Sequence, residues 1–396
     1  MIKYLRFSIL AFAMIAFFIS CNDAPTSVGE NIIPDQDKIN FVKYDSFTED
    51  IPQNSYSYKQ KLKLGSSAGT MLGKNSFAEY SILYKFWIAF DDSVLTKVFS
   101  NQIVVNWAKM HLLKTYSAGE PNANFDFSVH QIRNAWTEDG FDDDSLNALR
   151  YDNTDVSFGR SVTKDSVVAF NLKPQVITDW LKVRKDTNLA KNYGLLLKPT
   201  QGTNRVLGFD AVRQDGNSKN IAIQFEIQRI VGGKKDTFTV APFWDVHTSL
   251  GKNPSSANHF FVQGSLVNRS LISFDLSKLP KNIILNKAIL DLTVDPTLTY
   301  DGTPASDTLA VQIMADSTSK KLTIDSLYFA YLKRTNNVYS GDIAWMVQRW
   351  INGEQNHGIK IALPDEEYSV ARIAFFNSKQ TNKALRPRLT LIYTIK

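Results

Sequence analysis

The chain is expected to be all-β, built as two tandem β-sandwiches that each carry one short helix. Three observations predict this. Short apolar or alternating runs, Tyr80 to Phe90, Ile103 to Leu113, Phe125 to Ile132, Val167 to Leu172, Gly194 to Leu197 and Ile221 to Ile227, are separated by Gly, Asn, Asp and Ser clusters, which is the spacing of sandwich strands. The landmarks of the first half return in the same order in the second. With 43% apolar and 21% charged residues, 396 residues can fill two sizeable cores, at the usual ~150 residues or more per domain.

Residues 1–20 form a targeting segment. Lys3 and Arg6 precede an apolar run from Phe7 to Ile19, which ends at Ser20 and the chain's single cysteine, Cys21. The run is too short for the ~20 apolar residues a bilayer span needs, and the arrangement resembles a bacterial lipoprotein signal with its lipobox. Cys21 is then the lipidation site, and buried acyl methylenes at ~0.8 kcal/mol each hold the protein on a membrane. One cysteine also excludes an internal disulfide and a thiolate metal cluster. Residues 21–44, with Pro25, Gly29 and Pro34 and little periodicity, are expected to be a flexible spacer.

The first sandwich is expected over 45–230 and the second over 236–396, so the second should fold as a unit by itself. The copies open with Asp45-Ser-Phe-Thr48 and Asp236-Thr-Phe-Thr239. The run Asn268 to Pro280 alternates Leu271 and Ser273 against Ile272 and Phe274, and is echoed at Phe86 to Asp91. Ile103 to Leu112 matches Ile283 to Leu292, with Asn106/Asn286 and Ala108/Ala288 identical, and Phe127-Ser-Val129 matches Leu309-Ala-Val311. Val176 to Leu181 then matches Met346 to Ile351, and Asn192 to Leu197 matches Asn356 to Ile361. Ile343, Met346, Val347, Trp350 and Ile351 recur at helical spacing between Asp342, a candidate N-cap, and Gly353, a stop. Trp180 and Trp350 are assigned to cores.

The ordered segments 270–280, Asn286 to Leu292, Asp342 to Gly353, Asn356 to Ile361 and Arg386 to Tyr393 resemble the DNRLRE domain of secreted and surface bacterial and archaeal proteins. The resemblance covers nearly all of the second copy. In the first, Leu64 to Gly69 and Asn134 to Glu138 look like two further family features, while Asn220 to Phe225 replaces the Arg-Pro-Arg-Leu-Thr-Leu pattern. It implies a jelly-roll sandwich, relatives classed as carbohydrate-binding modules, and no catalytic residues.

Composition and motifs exclude several functions. Without Lys3 and Arg6, 43 basic residues face 39 acidic ones, a dispersed excess of 4 with no basic stripe for a nucleic acid backbone. Ser67 sits centrally in Gly65-Ser-Ser-Ala-Gly69, but a nucleophile elbow needs a strand-to-helix turn, absent here. The five histidines offer no zinc spacing. Glu138 to Asp144 is dense in carboxylates yet lacks the ligand alternation of a calcium loop. No metal and no cofactor is expected.

The expected function is therefore non-catalytic: an envelope lipoprotein, preferentially at the outer membrane, displaying two sandwiches for structural, adhesive or polysaccharide contact. Its partners would be the membrane through Cys21 and an extracellular polysaccharide or envelope protein. The alternative is a polysaccharide lyase or glycosidase acting in a sandwich groove. Sugar contact is expected in the first copy, because Trp107, where the second copy has Lys287, Trp136, and the acidic residues Asp142, Asp143 and Asp144 occur in one copy only.

Overall fold

The computed structural model describes residues 40–60, 65, 67–162, 167–186, 188–189, 191–212, 220–316 and 323–395. Cys21 lies outside them. The 23 strands among the described residues pair antiparallel, in two large sheets that curl into a half-barrel and a nearly closed barrel, so the all-β expectation holds.

In chain order the strands begin with β1 (Phe41–Asp45), β2 (Gln53–Lys59), β3 (Gly69–Lys74) and β4 (Ala78–Phe86). Helix α1 (Asp92–Phe99) precedes β5 (Ile103–Ala118) and β6 (Phe127–Gln131), and α2 (Asp143–Asn147) precedes β7 (Ser157–Val162) and β8 (Val167–Leu172). Helix α3 (Pro174–Lys182) leads to β9 (Leu195–Pro199), β10 (Val206–Asp210), β11 (Ile221–Arg229), β12 (Lys235–Val240) and β13 (Pro242–Gly251). The second half continues with β14 (His259–Gln263), β15 (Asn268–Phe274), β16 (Ile283–Thr293), β17 (Gly302–Thr303), β18 (Thr308–Asp316), β19 (Thr323–Thr335) and β20 (Val338–Asp342). Helix α4 (Ala344–Ile351) is followed by β21 (Ile359–Ala362), β22 (Arg372–Phe376) and β23 (Arg388–Ile395).

Local chemistry explains the repeated landmarks. Asn106 and Asn286 each occupy a β-bulge, skipped where Val105 pairs Ile227 and Trp107 pairs Glu226, and where Leu285 pairs Tyr393 and Lys287 pairs Ile392. Past the bulge, the residue two positions on, Ala108 or Ala288, lies in the core. Asn192 donates from Nδ2 to the Phe86 carbonyl at 3.0 Å and accepts from the Gly194 N–H at 3.0 Å, and Asn356 makes the same pair with Phe274 and Gly358 at 2.9 Å each. Both glycines have positive φ, and a Cβ there would lie 2.1 Å or 2.6 Å from a strand carbonyl, so no other residue fits. This fixes Phe86 as the counterpart of Phe274; the echo at Phe86 to Asp91 aligns at its first residue.

Each helix buries its apolar stripe. Val176, Ile177, Trp180 and Leu181 of α3 join a core containing Phe86, Met110, Phe127, Phe170, Phe209 and Phe225. Met346, Val347 and Trp350 of α4 join one containing Phe260, Ile272, Leu290, Tyr339 and Phe375. Helix α4 starts two residues after Asp342, whose Oδ1 accepts from the Ala344 N–H at 2.8 Å, and it stops at Gly353, with φ +104°.

The halves are not the contiguous units expected. β1 pairs with β23 and β2 with β15, so residues 41–59 belong to the second sheet, while β12 pairs with β11 and β13 with β4, so 235–251 belong to the first. Each leading segment thus completes the sheet of the other copy. Residue 41 also ends the expected spacer early. Ile51 is buried in the second core, Val42 and Tyr44 pack on it, and Asp45 pairs with Arg388. Phe238 and Val240 pack against the first core. The opening tetrapeptides are not structurally equivalent: Asp45 faces Thr390, the position that Thr239 occupies against Gln224.

A third apolar cluster, with Met71, Tyr80 and Val206 from the first half and Leu266 and Val370 from the second, joins the sheets. Across it Phe77 meets Tyr300 edge-on at 5.3 Å, and the Arg372 guanidinium lies 3.6 Å from the Phe77 ring centroid.

Candidate functional site

The copies differ at the end of the sandwich where the helix sits. Between β4 and β5 the first copy has sixteen residues, 87–102, including α1, whose Leu95 and Val98 are buried. Between β15 and β16 the second has eight, 275–282. The short turn is set by Asp275, whose backbone N–H donates to the Pro52 carbonyl at 2.8 Å and whose Oδ1 accepts from the Ser277 N–H at 3.0 Å. Without a counterpart of α1, a cleft of about 890 Å³ stays open beside α4.

One wall comes from the exchanged segment, Pro52, Gln53 and Asn54; the others come from Ser273 to Lys281, from Trp350 to Gly353 and from Asn356. The lining alternates apolar surface, Leu276, Leu279 and the Trp350 ring, with neutral amides, Gln53, Asn54, Asn352 and Asn356. Among the described residues, two buried polar atoms of the lining side chains have no hydrogen-bond partner, the Trp350 indole Nε1 and Gln53 Oε1. An unmet donor and an unmet acceptor in one cleft suit a ligand that can both accept and donate, as hydroxyls do. The Ser277 backbone and side chain hold the Asp275 carboxyl below the usual range, and among the described lining residues it is the one carboxylate. Hydrolysis of a glycosidic bond ordinarily uses two.

Comparison with protein-family models, curated proteins and solved structures finds no match. The cleft therefore rests on its own geometry.

The residues singled out from sequence lie elsewhere, and not together. Trp107 is 38% exposed on β5, opposite Glu226 on β11, beside the Asn106 amide, which donates to Glu226 Oε1 at 2.7 Å and Gln228 Oε1 at 2.9 Å. It faces solvent, as Lys287 in the other copy implied. Trp136 does not: it is buried against Phe141, Leu149 and Val246, and its Nε1 donates to the Tyr193 carbonyl at 2.7 Å. A ring packed so cannot stack on a sugar. Asp142 is the N-cap of α2, its Oδ1 accepting from the Asp144 and Ser145 N–H groups at 3.1 and 3.0 Å, which spends it on the helix start. Asp144 is exposed, and the Asp143 side chain lies outside what is described. Helix α2 packs on β13, away from the strands flanking Trp107.

Ser67 is buried and its hydroxyl donates to the Gly69 carbonyl at 2.8 Å. Gly65 bridges to Val246, and a Cβ on it would lie 2.0 Å from the Glu138 carbonyl oxygen, so packing explains the glycine. Among the described residues no cluster of His, Cys, Asp or Glu is arranged to hold a metal, and no helix is long and apolar enough to cross a membrane. Gln53 and Asn54 escaped sequence reasoning because their segment pairs with the copy that does not follow it.

Proposed function

We propose that this protein is a non-catalytic cell-envelope lipoprotein, anchored through Cys21 at the outer membrane, whose second sandwich holds a neutral polysaccharide in the cleft beside α4. The observation that carries this is the pairing of an unmet indole N–H and an unmet amide oxygen among apolar surface and neutral amides. Sugar hydroxyls satisfy both atoms, and the apolar face of a pyranose suits the half-buried Leu276 and Ile351 of the lining. The lone Cys21 after a short apolar run supports the anchor, and the order of DNRLRE-like landmarks supports a surface role.

The described strands and cores lie within 40–395, and the chain from Asn22 onward, which contains them, is the one to screen on a glycan array. Gln53→Ala with Asn54→Ala should weaken binding by roughly tenfold, as two neutral hydrogen bonds of ~0.5–1.5 kcal/mol are lost. The backbone pairing of β2 is untouched, so the melt should not move. Trp107→Ala should leave binding unchanged. Binding that vanishes with Trp107 instead would place the site on β5, and cleavage of any polymer would make the protein an enzyme.

A further inference from the structure

We infer that the α1/α3 end of the first half is a second membrane contact, which inserts apolar tips into an anionic lipid surface. The hairpin between β11 and β12 carries Ile230 and Val231 at its tip, 60% and 86% exposed. Gly232 and Gly233 follow with φ +83° and +66°, and nothing lies within 4 Å of where their Cβ atoms would be, so the tip projects clear of the protein. The Ile230 N–H donates to the Gln102 carbonyl at 3.0 Å, which sets the hairpin beside the C-terminus of α1 and its Phe99, 46% exposed. Lys182 at the end of α3 donates to Asn101 Oδ1 at 2.8 Å. Two residues on, the Arg184 guanidinium lies 5.5 Å from the ring centroid of Trp87, 66% exposed. Four large apolar side chains therefore share one end of the sandwich.

Scattered surface apolars need no explanation, but these are interleaved with cations, three of which have no carboxylate partner among the described residues. Lys97, Lys182 and Arg184 make no ion pair among the described residues, whereas Lys234 at the hairpin base pairs with Asp236 at 3.4 Å and Lys185 pairs with Asp92. Shallow apolar insertion with lysine and arginine at headgroup level, and a tryptophan between, is the composition of an interfacial lipid contact. Charge selects the lipid, since each basic residue near an anionic surface is attracted to it and screened by salt. Protruding tips favour a deformable lipid surface over a protein groove, which would need a matching concavity.

The test uses the chain from Asn22, which lacks Cys21, co-sedimented with phosphatidylcholine vesicles that contain or lack phosphatidylglycerol. Binding is expected to the anionic vesicles, weakened by added salt. Ile230→Ser with Val231→Ser should reduce it by roughly tenfold or more, and Lys97→Glu with Arg184→Glu by a similar factor, both with unchanged melts. A polarity-sensitive fluorophore on V231C, the only cysteine of that chain, should shift to the blue on vesicles. Failure to sediment with either vesicle, full binding by the tip variant, or an unshifted fluorophore would overturn the inference. So would loss of glycan binding in the tip variant with vesicle binding intact, because the patch would then belong to a sugar site.

Discussion

A chain running from Asp236 to Lys396 is expected to fail to fold. It lacks β1 and β2, which supply five residue pairs to β23 and seven to β15. It lacks Ile51 from the core and Asp45 from the Arg388 pair. It also keeps β12 and β13 without β11 and β4, their partners. A buried isoleucine alone is worth about 2–5 kcal/mol on truncation, and total stabilities are only ~5–15 kcal/mol. Circular dichroism should show no cooperative melt, with uncovered strand edges driving aggregation, whereas the chain from Asn22 should unfold in a single transition because the halves share strands and a junction core. A cooperative melt of the 236–396 fragment would mean that each copy can complete its own sheet.

The second large effect is a pair of opposing proton linkages on the exchanged strand β13. Asp245 and His247, on one face of it, are both buried. Burial pushes the Asp245 carboxyl up to about 7, against the Val212 N–H that donates to Oδ2 at 2.6 Å, and Glu138 and Asp210 add to the rise. Burial pushes the His247 imidazole down to about 4, and the Glu367 backbone is the one group favouring its charged form. The raised carboxyl binds a proton in the folded state that the unfolded chain has released, so its contribution falls as pH rises from about 4 through 7. The lowered imidazole stays neutral where the unfolded chain is protonated, so its contribution is full above about 6.5 and is lost as pH falls through 4. Between pH 4 and 6.5 the two slopes cancel.

Removing either member should expose the other. Asp245→Asn, which can still accept from Val212, should make stability rise across that window, and His247→Leu should make it fall, each by roughly 3 kcal/mol. Glu138 and Glu367, both pushed up chiefly by burial, remain in all three proteins, so differences between their denaturation curves isolate the pair. Parallel curves would show that neither group titrates as its burial demands.

What the sequence disclosed is what local chemistry determines. Trp180 and Trp350 sit at helical spacing, and both are core. Asn192 and Asn356 precede glycines by two residues, and both clamp the loop to a strand carbonyl. Asn106 and Asn286 recur because each marks a bulge. Pairing across the chain leaves no such local mark, and β1 carries nothing in its own residues that says it belongs with β23 and not β11. Trp136 and Asp142 misled for a related reason. Presence in a single copy identifies what the common fold does not require, yet the first copy has its own satellite cluster around Trp136 and its own capped helix α2, which use these residues for structure. The cleft was hidden because half its character is a missing helix, and one wall belongs to the other end of the chain.

The reciprocal exchange of leading strands is tested most directly by a disulfide. Opposed residues in an antiparallel pair lie about 4.5–5.5 Å apart, within the range a disulfide bridges. In the chain from Asn22, which lacks Cys21, Phe41→Cys with Thr394→Cys joins register partners of β1 and β23 and should oxidise within one molecule at high dilution. Phe41→Cys with Gln228→Cys, the pair that self-contained sandwiches would bring together, should stay reduced, because Lys235 occupies that register. Bond formation at 41/228 and none at 41/394 would contradict the exchange.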